Sequence, residues 1–369
     1  MIWNMYLQNM NTNNKKTNRN NEKDNLKTSI HRVGSLLCVV VLLVSMLCGC
    51  AVSGSDRQAD HSNSDGKLRV VTTIFPQYDF VRQIAGDNVS LTMLLKPGEE
   101  THSYEPTPQD IIAIQNADLF IYVGGENDEW VEDILESPEM EHVKRLRLVD
   151  CVGSVLEEEE VEGMQEERGH HHHEEASTLH SANETEEEHN AHVHTMDEHV
   201  WTSPSNAVDI VARIAEELCL LDSEHAQVYK QNASDYEAQL KELDAEFQEV
   251  VDNAQNHTIL FGDRFPFRYF AAEYGLDYYA AFSGCASDTE PSAATMAFLI
   301  NKVKEEHIPV VLKMELSNDN IANAIAETCD VPVKVFYSSH NISAEQFEAG
   351  VTYLDLMKEN VETLKEALR

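Results

Sequence analysis

Two histidines stand in loops whose flanks suit ligand chemistry. His102 lies in Lys96-Pro-Gly-Glu-Glu-Thr-His102-Ser-Tyr-Glu-Pro-Thr-Pro-Gln-Asp110, after a strand-ending turn and before a helix, with proline on both sides. His199 lies in Asp197-Glu-His199-Val-Trp201-Thr-Ser-Pro204, again just ahead of a helix. A loop imidazole is ordinarily a surface group, but neutral imidazole is also the commonest metal ligand in proteins, and stiff flanks pre-position it. A denser signal lies between the two. From 157 to 198, 15 residues are Asp or Glu, one is Arg168 and eight are His: His170, His171, His172, His173, His180, His189, His192 and His194. Such a stretch is too polar to pack and is expected to be disordered; its histidine density reads as metal binding, against the plainer reading of a solvated acidic loop.

The elements that must position these loops follow from the hydrophobic pattern. The chain has 369 residues, 42% of them hydrophobic, enough for a sizeable core and too long for one average domain. Short β-branched runs at 68–74, 89–95, 118–123 and 146–149 alternate with helical patterns at 77–85, from Thr107-Pro108, and at 130–135. After the acidic stretch, Pro204 opens a helical tract that Asp222-Ser-Glu interrupts, and an apparently continuous helix runs on to Ala254. Strand–helix alternation then resumes, with strands at 258–261, 276–282, 309–316 and 333–337 and a closing helix over 343–368. The expected fold class is α/β: two lobes, each a mainly parallel sheet flanked by helices, at 67–221 and 256–369, joined by a long rigid helix at 222–255. Parallel sheets bind ligands outside their strand carboxyl ends, so the cleft between lobes is the place to search.

Charge and the N-terminus set the compartment and the partner class. Lys and Arg number 27 against 65 Asp and Glu, a formal charge of −38, which repels phosphate backbones and favours cations. No nucleic-acid partner is expected. Residues 1–49 carry six basic residues and then an apolar run from Val33 to Leu47, shorter than a membrane span and laid out like a secretory signal. Leu47-Cys48-Gly49-Cys50 resembles a bacterial lipobox, which makes Cys50 the expected lipidation site and 50–66 a flexible tether. Of the cysteines beyond the signal and lipid site, Cys151, Cys219, Cys285 and Cys329 form no CxxC pair. Outside the cell they would be either two disulfides, with Cys285 and Cys329 the first pair to test, or buried thiols.

In its loop motifs the chain resembles the bacterial solute-binding proteins of metal-uptake ABC transporters, especially their zinc-binding lipoproteins, over roughly residues 66–369. Pro97-Gly98…His102-Ser-Tyr-Glu-Pro-Thr-Pro and Asp197-x-His199-x-Trp201-x-x-Pro204 look like the first two metal-ligand motifs of that family; Glu290-Pro-Ser292 and Val311…Glu315 look like further landmarks. The third family motif, which normally supplies a histidine, here reads Asp263-Arg264-Phe265-Pro-Phe267-Arg-Tyr269, with Arg264 in the imidazole's place. The resemblance therefore implies a ligand set of His102, His199 and His340, the last from Ser338-Ser339-His340-Asn341, with Asp263 or water as a fourth donor. Such a set suits Zn²⁺ as the carried ion, drawn from both lobes so that binding favours a closed cleft. The same resemblance implies a low-affinity zinc collector in 157–198, an ABC permease and its ATPase as partners, a lipid anchor to the outer face of the cytoplasmic membrane, and a monomer.

Three other readings compete. A more oxygen-rich set would favour manganese. A His₃ zinc with an open position can activate water, but the chain has no His-Glu-x-x-His, Gly-x-Ser-x-Gly or Walker-type loop, so an enzyme is not expected. A surface adhesin fits the anchor and leaves the loop histidines unexplained.

Overall fold

The computed structural model describes residues 66–99, 104–125, 128–165, 196–286 and 290–369, all within one compact unit, Ser62–Arg369. The signal and tether with Cys50, the first loop histidine His102, and the eight histidines of 157–198 lie outside the described residues.

Two four-stranded parallel sheets make the frame. The first holds β1 (Leu68–Thr72), β2 (Val89–Met93), β3 (Leu119–Tyr122) and β4 (Lys144–Arg147) in the order β2-β1-β3-β4. The second holds β5 (Thr258–Phe265), β6 (Asp277–Ser283), β7 (Val311–Lys313) and β8 (Val333–Val335) in the order β6-β5-β7-β8. The two orders are the same pattern used twice, and β3 is buried along its whole length, as a strand covered on both faces must be. In each sheet the order reverses beside the first strand of the set, so each has a switch point at the carboxyl ends of its two central strands, β1 with β3 and β5 with β7.

Helices α1 (Phe75–Ala85), α2 (Pro108–Gln115) and α3 (Glu129–Leu135) belong to the first sheet's crossovers; α6 (Arg268–Tyr274), α7 (Ala293–Glu305) and α8 (Asn320–Cys329) belong to the second's. Between the sheets run α4 (Pro204–Leu221) and α5 (Ala226–Asp252). With 27 residues, α5 is about 40 Å long, somewhat shorter than the sequence pattern suggests because Asp222 to His225 are spent on a turn. Its buried residues Tyr229, Ala233, Tyr236, Leu240, Leu243, Phe247 and Val251 follow a three–four spacing. That stripe joins one continuous core containing Val70 and Leu119 of the first sheet and Phe261 and Leu312 of the second.

Three of the boundaries that differ from the sequence expectation do so for a clear local reason. Helix α1 begins at Phe75 rather than Gln77, because a proline in the first turn costs no intrahelical bond, and Gln77 Oε1 accepts from the Thr73 and Ile74 amides at 2.9 and 3.2 Å. The strand expected at 146–149 lies at Lys144–Arg147 and gives way to a 3₁₀ turn over Leu148–Cys151. The closing helix is two, α9 (Ala344–Glu348) and α10 (Tyr353–Ala367). Gly350 takes a φ of 75° between them, and Thr352 restarts the helix with a reciprocal cap, accepting from the Asp355 amide at 3.0 Å while Asp355 accepts from the Thr352 amide at 3.0 Å.

Of the two readings left open for the cysteines, the structure has free thiols: Cys151, Cys219, Cys285 and Cys329 are all outside any disulfide. Cys329 ends α8 with Sγ toward the Ile300 carbonyl, whereas Cys285 lies just after β6 with its amide donating to Glu158 Oε1 at 2.8 Å.

Candidate metal centre

The loops that leave the carboxyl ends of the strands meet at His199 and His340. The two ring centroids are 5.5 Å apart at 86°, and the Trp201 ring lies 5.5 Å from the first and 4.9 Å from the second. His199 is fully buried and His340 nearly so. Both line a cavity of about 50 Å³, together with Arg264 and Pro266 beyond the β5 bulge, Met314 to Ser317 after β7, Ser338 and Asn341 after β8, and Glu99. His340 also lines a smaller cavity of about 20 Å³ on the first sheet's side, walled by Thr73 and Ile74 after β1, Val123 after β3, Tyr104, Asp128 and Glu198. The two switch points thus face each other across His340.

His199 is held by its own segment. Asp197 Oδ1 accepts from the His199 amide at 2.8 Å and lies 3.1 Å from Nδ1, while the Thr202 hydroxyl donates to the His199 carbonyl at 2.8 Å. Donation from Nδ1 to a carboxylate places the lone pair on Nε2, the usual arrangement behind a metal-binding imidazole. Burial by itself would push this imidazole's pKa down; the Asp197 carboxylate, followed by Glu198 and Glu158, outweighs it and the pKa is raised. The Trp201 indole anchors the segment: it is fully buried, and Nε1 donates to the Ser338 carbonyl at 2.9 Å. An indole of ~150–250 Å² contributes about 4–6 kcal/mol of transfer free energy when buried. The Tyr269 hydroxyl on α6 donates to the Asp197 carbonyl at 2.7 Å, so the second sheet's helix grips the same segment.

His340 comes after β8 but is laced to the first sheet. Its carbonyl accepts from the Phe75 amide at 3.3 Å, Ile342's carbonyl accepts from the Gly98 amide at 2.8 Å, and Asn341 Nδ2 donates to the Lys96 and Glu99 carbonyls at 2.9 and 2.8 Å. From behind, Glu315 accepts from the Ser338 amide and hydroxyl, both at 2.7 Å. Burial pushes the Glu315 pKa up to about 7, against the Ser338 hydrogen bonds, which lower it. Two non-glycine residues beside this cavity, Leu316 and Ser339, have φ of 59° and 58°, a conformation that L residues adopt at a cost and that clusters at ligand sites.

Asp263 is placed differently. A bulge in β5 between Phe261 and Arg264 turns its side chain toward the β7 loop, where Oδ2 accepts from the Met314 amide at 2.9 Å and the Ser317 hydroxyl at 2.5 Å, and Oδ1 from the Arg264 amide at 2.9 Å. Gly262, within the bulge, lets α8 pack close, since a Cβ there would stand 2.5 Å from Ala322 Cα. Asp263 is not among the side chains lining the His199–His340 cavity; its neighbour Arg264 is.

A further grouping was not anticipated from the sequence. Donor atoms of Glu198, His199 and Cys285 lie within 4.8 Å of one another. The signal that could have found Cys285 is positional: it stands just past a parallel strand's carboxyl end, where ligand crevices lie.

Residues 70–367 match the family model described as zinc-uptake complex component A, periplasmic. The chain belongs to the ZnuA family. Among curated ZnuA-family relatives, the zinc-binding protein AdcA of Streptococcus pyogenes is 33% identical over 325 residues, 88% of this chain and 61% of AdcA. The high-affinity zinc uptake system protein ZnuA of Bacillus subtilis is 31% identical over 335 residues, 90% of this chain and 97% of that protein. The chain thus spans about three fifths of the AdcA relatives and nearly all of the bacillar ZnuA. Among solved structures, the Zn(II)-bound ZnuA-like domain of Streptococcus pneumoniae AdcA superposes with a TM-score of 0.64 at 28% identity, covering 82% of this chain and 99% of that domain. The metal-dependent lipoprotein YcdH of Bacillus subtilis gives 0.65 at 29% identity, with 82% and 99% coverage. The family resemblance read from the loop motifs and the two-lobe α/β fold are both borne out, and the ZnuA family is a solute-binding one rather than an enzyme family.

Proposed function

We propose that this chain captures Zn²⁺ between its two sheets and hands it to the permease of an ABC importer driven by a partner ATPase. The observation that carries the reading is the convergence of the His199 and His340 rings, from segments 141 positions apart, on one small cavity at the carboxyl ends of the second sheet's strands. Imidazole nitrogens suit Zn²⁺ more than the oxygen-rich sites that favour manganese, and here the His199 ring rests on Asp197 while backbone hydrogen bonds fix the His340 segment against the first sheet. His102 is proposed as a third ligand: Glu99 before it lines the larger cavity and Tyr104 after it lines the smaller. Asp263 has its oxygens engaged by three donors, so its proposed part is to fix the β7 loop beside the cavity rather than to bind the ion. The family's zinc-binding relatives AdcA and ZnuA support the choice of ion.

The remaining parts of the reading rest on sequence. Cys50 carries lipid, 50–66 tethers a monomer to the outer face of the cytoplasmic membrane, and the histidines of 157–198 collect zinc weakly near the cleft. Domain limits at 67–221, 222–255 and 256–369 accompany it. The test is metal stoichiometry: after zinc loading and dialysis, one tightly held Zn²⁺ per chain is expected, lost in His199→Ala and in His102→Ala. Tight manganese with poor zinc retention sinks the assignment.

A further inference from the structure

We propose that Cys285 gives a thiolate to the ion held by His199, with Glu198 as the oxygen donor. These three side chains then form a nitrogen–oxygen–sulfur set, and the proposed His340 and His102 imidazoles compete for the one position a tetrahedral ion leaves open. This deepens the zinc-capture reading and rests on it.

The geometry carries the proposal. One donor atom from each of Glu198, His199 and Cys285 lies within 4.8 Å of the other two. Around a tetrahedral zinc with Zn–N and Zn–O near ~2.0 Å and Zn–S near ~2.3 Å, neighbouring donors stand about 3.3–3.5 Å apart. Rotamer-scale shifts of about 1 Å therefore close the set. Two glycines make room for it. At Gly284 an added Cβ would lie 3.3 Å from His199 Cε1 and 3.0 Å from the Phe265 carbonyl, so glycine brings this turn close against the ring without crowding it. At Gly125 an added Cβ would lie 2.0 Å from Glu198 Oε2, so glycine there admits the carboxylate to its present place. The turn is itself anchored, through the Cys285 amide on Glu158 Oε1 at 2.8 Å, and the thiol is in no disulfide.

Chemistry points the same way. Arg264, which lines the cavity, stands where the family motif supplies an imidazole and brings a positive charge that repels the ion. A thiolate and a carboxylate offset that charge. Binding then breaks the S–H bond, forms the Zn–S bond and releases the thiol proton to solvent. Soft sulfur also widens the preference for zinc over manganese.

Co²⁺ is the probe, with the full chain. The expected result is a near-ultraviolet thiolate-to-cobalt charge-transfer band at one equivalent, absent in Cys285→Ser, with Zn²⁺ affinity reduced at least about tenfold in that variant. Alkylation of the wild-type protein gives a readout independent of the variant's folding: zinc should protect Cys285, mapped by peptide mass, and leave Cys151, Cys219 and Cys329 as reactive as before. Cobalt bound in a His199-dependent way without the thiolate band, and without protection of Cys285, overturns the thiolate and leaves zinc capture standing. Cobalt and zinc binding that ignores both His199→Ala and His340→Ala overturns the cleft reading itself.

Discussion

The two sheets repeat one strand order, and each keeps a carboxylate with a pKa raised to about 7 behind its switch point, Asp128 buried and Glu315 partly so, yet the two hold different things. Asp128, on the first sheet's side, accepts from the Val123 and Gly124 amides at 2.7 and 3.1 Å and so fixes the end of a strand. Burial raises its pKa to about 7, with the Glu198 charge adding to the rise and the two amides opposing it. Glu315, on the second side, accepts from Ser338, two residues before His340, and so fixes a ligand-bearing loop. On the first side the carboxylate braces a strand end beside an acidic lining that includes Glu198; on the second it braces the His340 loop, which reaches over and bonds to the first sheet. A repeated topology has thus become asymmetric through the loops after its strands, and the functional burden sits there.

The sharpest way to break this picture is to remove the ring that neither carboxylate braces. His199→Ala should weaken Zn²⁺ binding by about 100-fold or more, since it removes a pre-oriented donor together with the purpose of its Asp197 partner. His340→Ala should show a smaller loss of about 10–100-fold, judged by competition titration against a chromophoric chelator. Equal retention of zinc by both variants would leave the asymmetry without functional meaning.

Asp263 separates holding from binding. It is buried and accepts three hydrogen bonds from the β5 bulge and the β7 loop, so Asp263→Ala should cost about 2–4 kcal/mol of stability by leaving those donors unpaired. Denaturant unfolding of the zinc-free protein measures this. Zinc affinity, compared at a temperature where both proteins are folded, should move far less than in His199→Ala. A large affinity loss with little change in unfolding would return Asp263 to the ligand set.

Acid distinguishes the imidazole from the carboxylates. The His199 pKa is raised in the metal-free fold, so protons begin to compete with zinc at a higher pH than for an ordinary imidazole of about 6.5. The sign for stability is opposite in the two states. In the metal-free protein the charged ring paired with Asp197 stabilises the fold fully below the unfolded imidazole pKa, and that contribution is lost as pH rises through the raised value. In the zinc-loaded protein, the metal's contribution falls as pH drops through the same region. Melting curves with and without zinc should therefore converge on acidification, by several degrees across that window.

Much of this is legible in the residues. The alternation of β-branched runs with helical patterns locates the eight strands of the described residues, most plainly β3, which is buried along its whole length. His199 is marked by its context, Asp197 and Trp201, and those are the residues that hold it. The features that stay hidden depend on distance in space rather than on spacing. A single closing helix reads straight through Gly350, where only the positive φ shows that the chain turns. Cys285 pairs with Cys329 as a possible disulfide because cysteines outside the cell invite pairing, whereas the fold sets it beside Glu198 and His199. Asp263 sits next to the family's histidine position, but the β5 bulge, which no periodicity announces, turns it toward the β7 loop.

The finest test sets the two carboxylates against each other. Glu315→Gln keeps the size of the side chain and one carbonyl oxygen, but turns an amide toward one of the two Ser338 donors. The His340 loop loses part of its backing, and Zn²⁺ affinity should fall about tenfold or less at pH 8, as for removal of a partner behind a ligand. The loss should shrink as pH falls through about 7, where Glu315 itself takes up a proton and no longer offers two acceptors. Asp128→Asn makes the matching change on the first sheet, behind a strand end that carries no proposed ligand, and its effect on zinc should be smaller still at every pH. Titrations of both variants at pH 8 and pH 6 decide the matter. If Asp128→Asn matches or exceeds Glu315→Gln, bracing the first sheet's strand end matters to the ion as much as backing the His340 loop, and the different roles given to the two carboxylates are wrong.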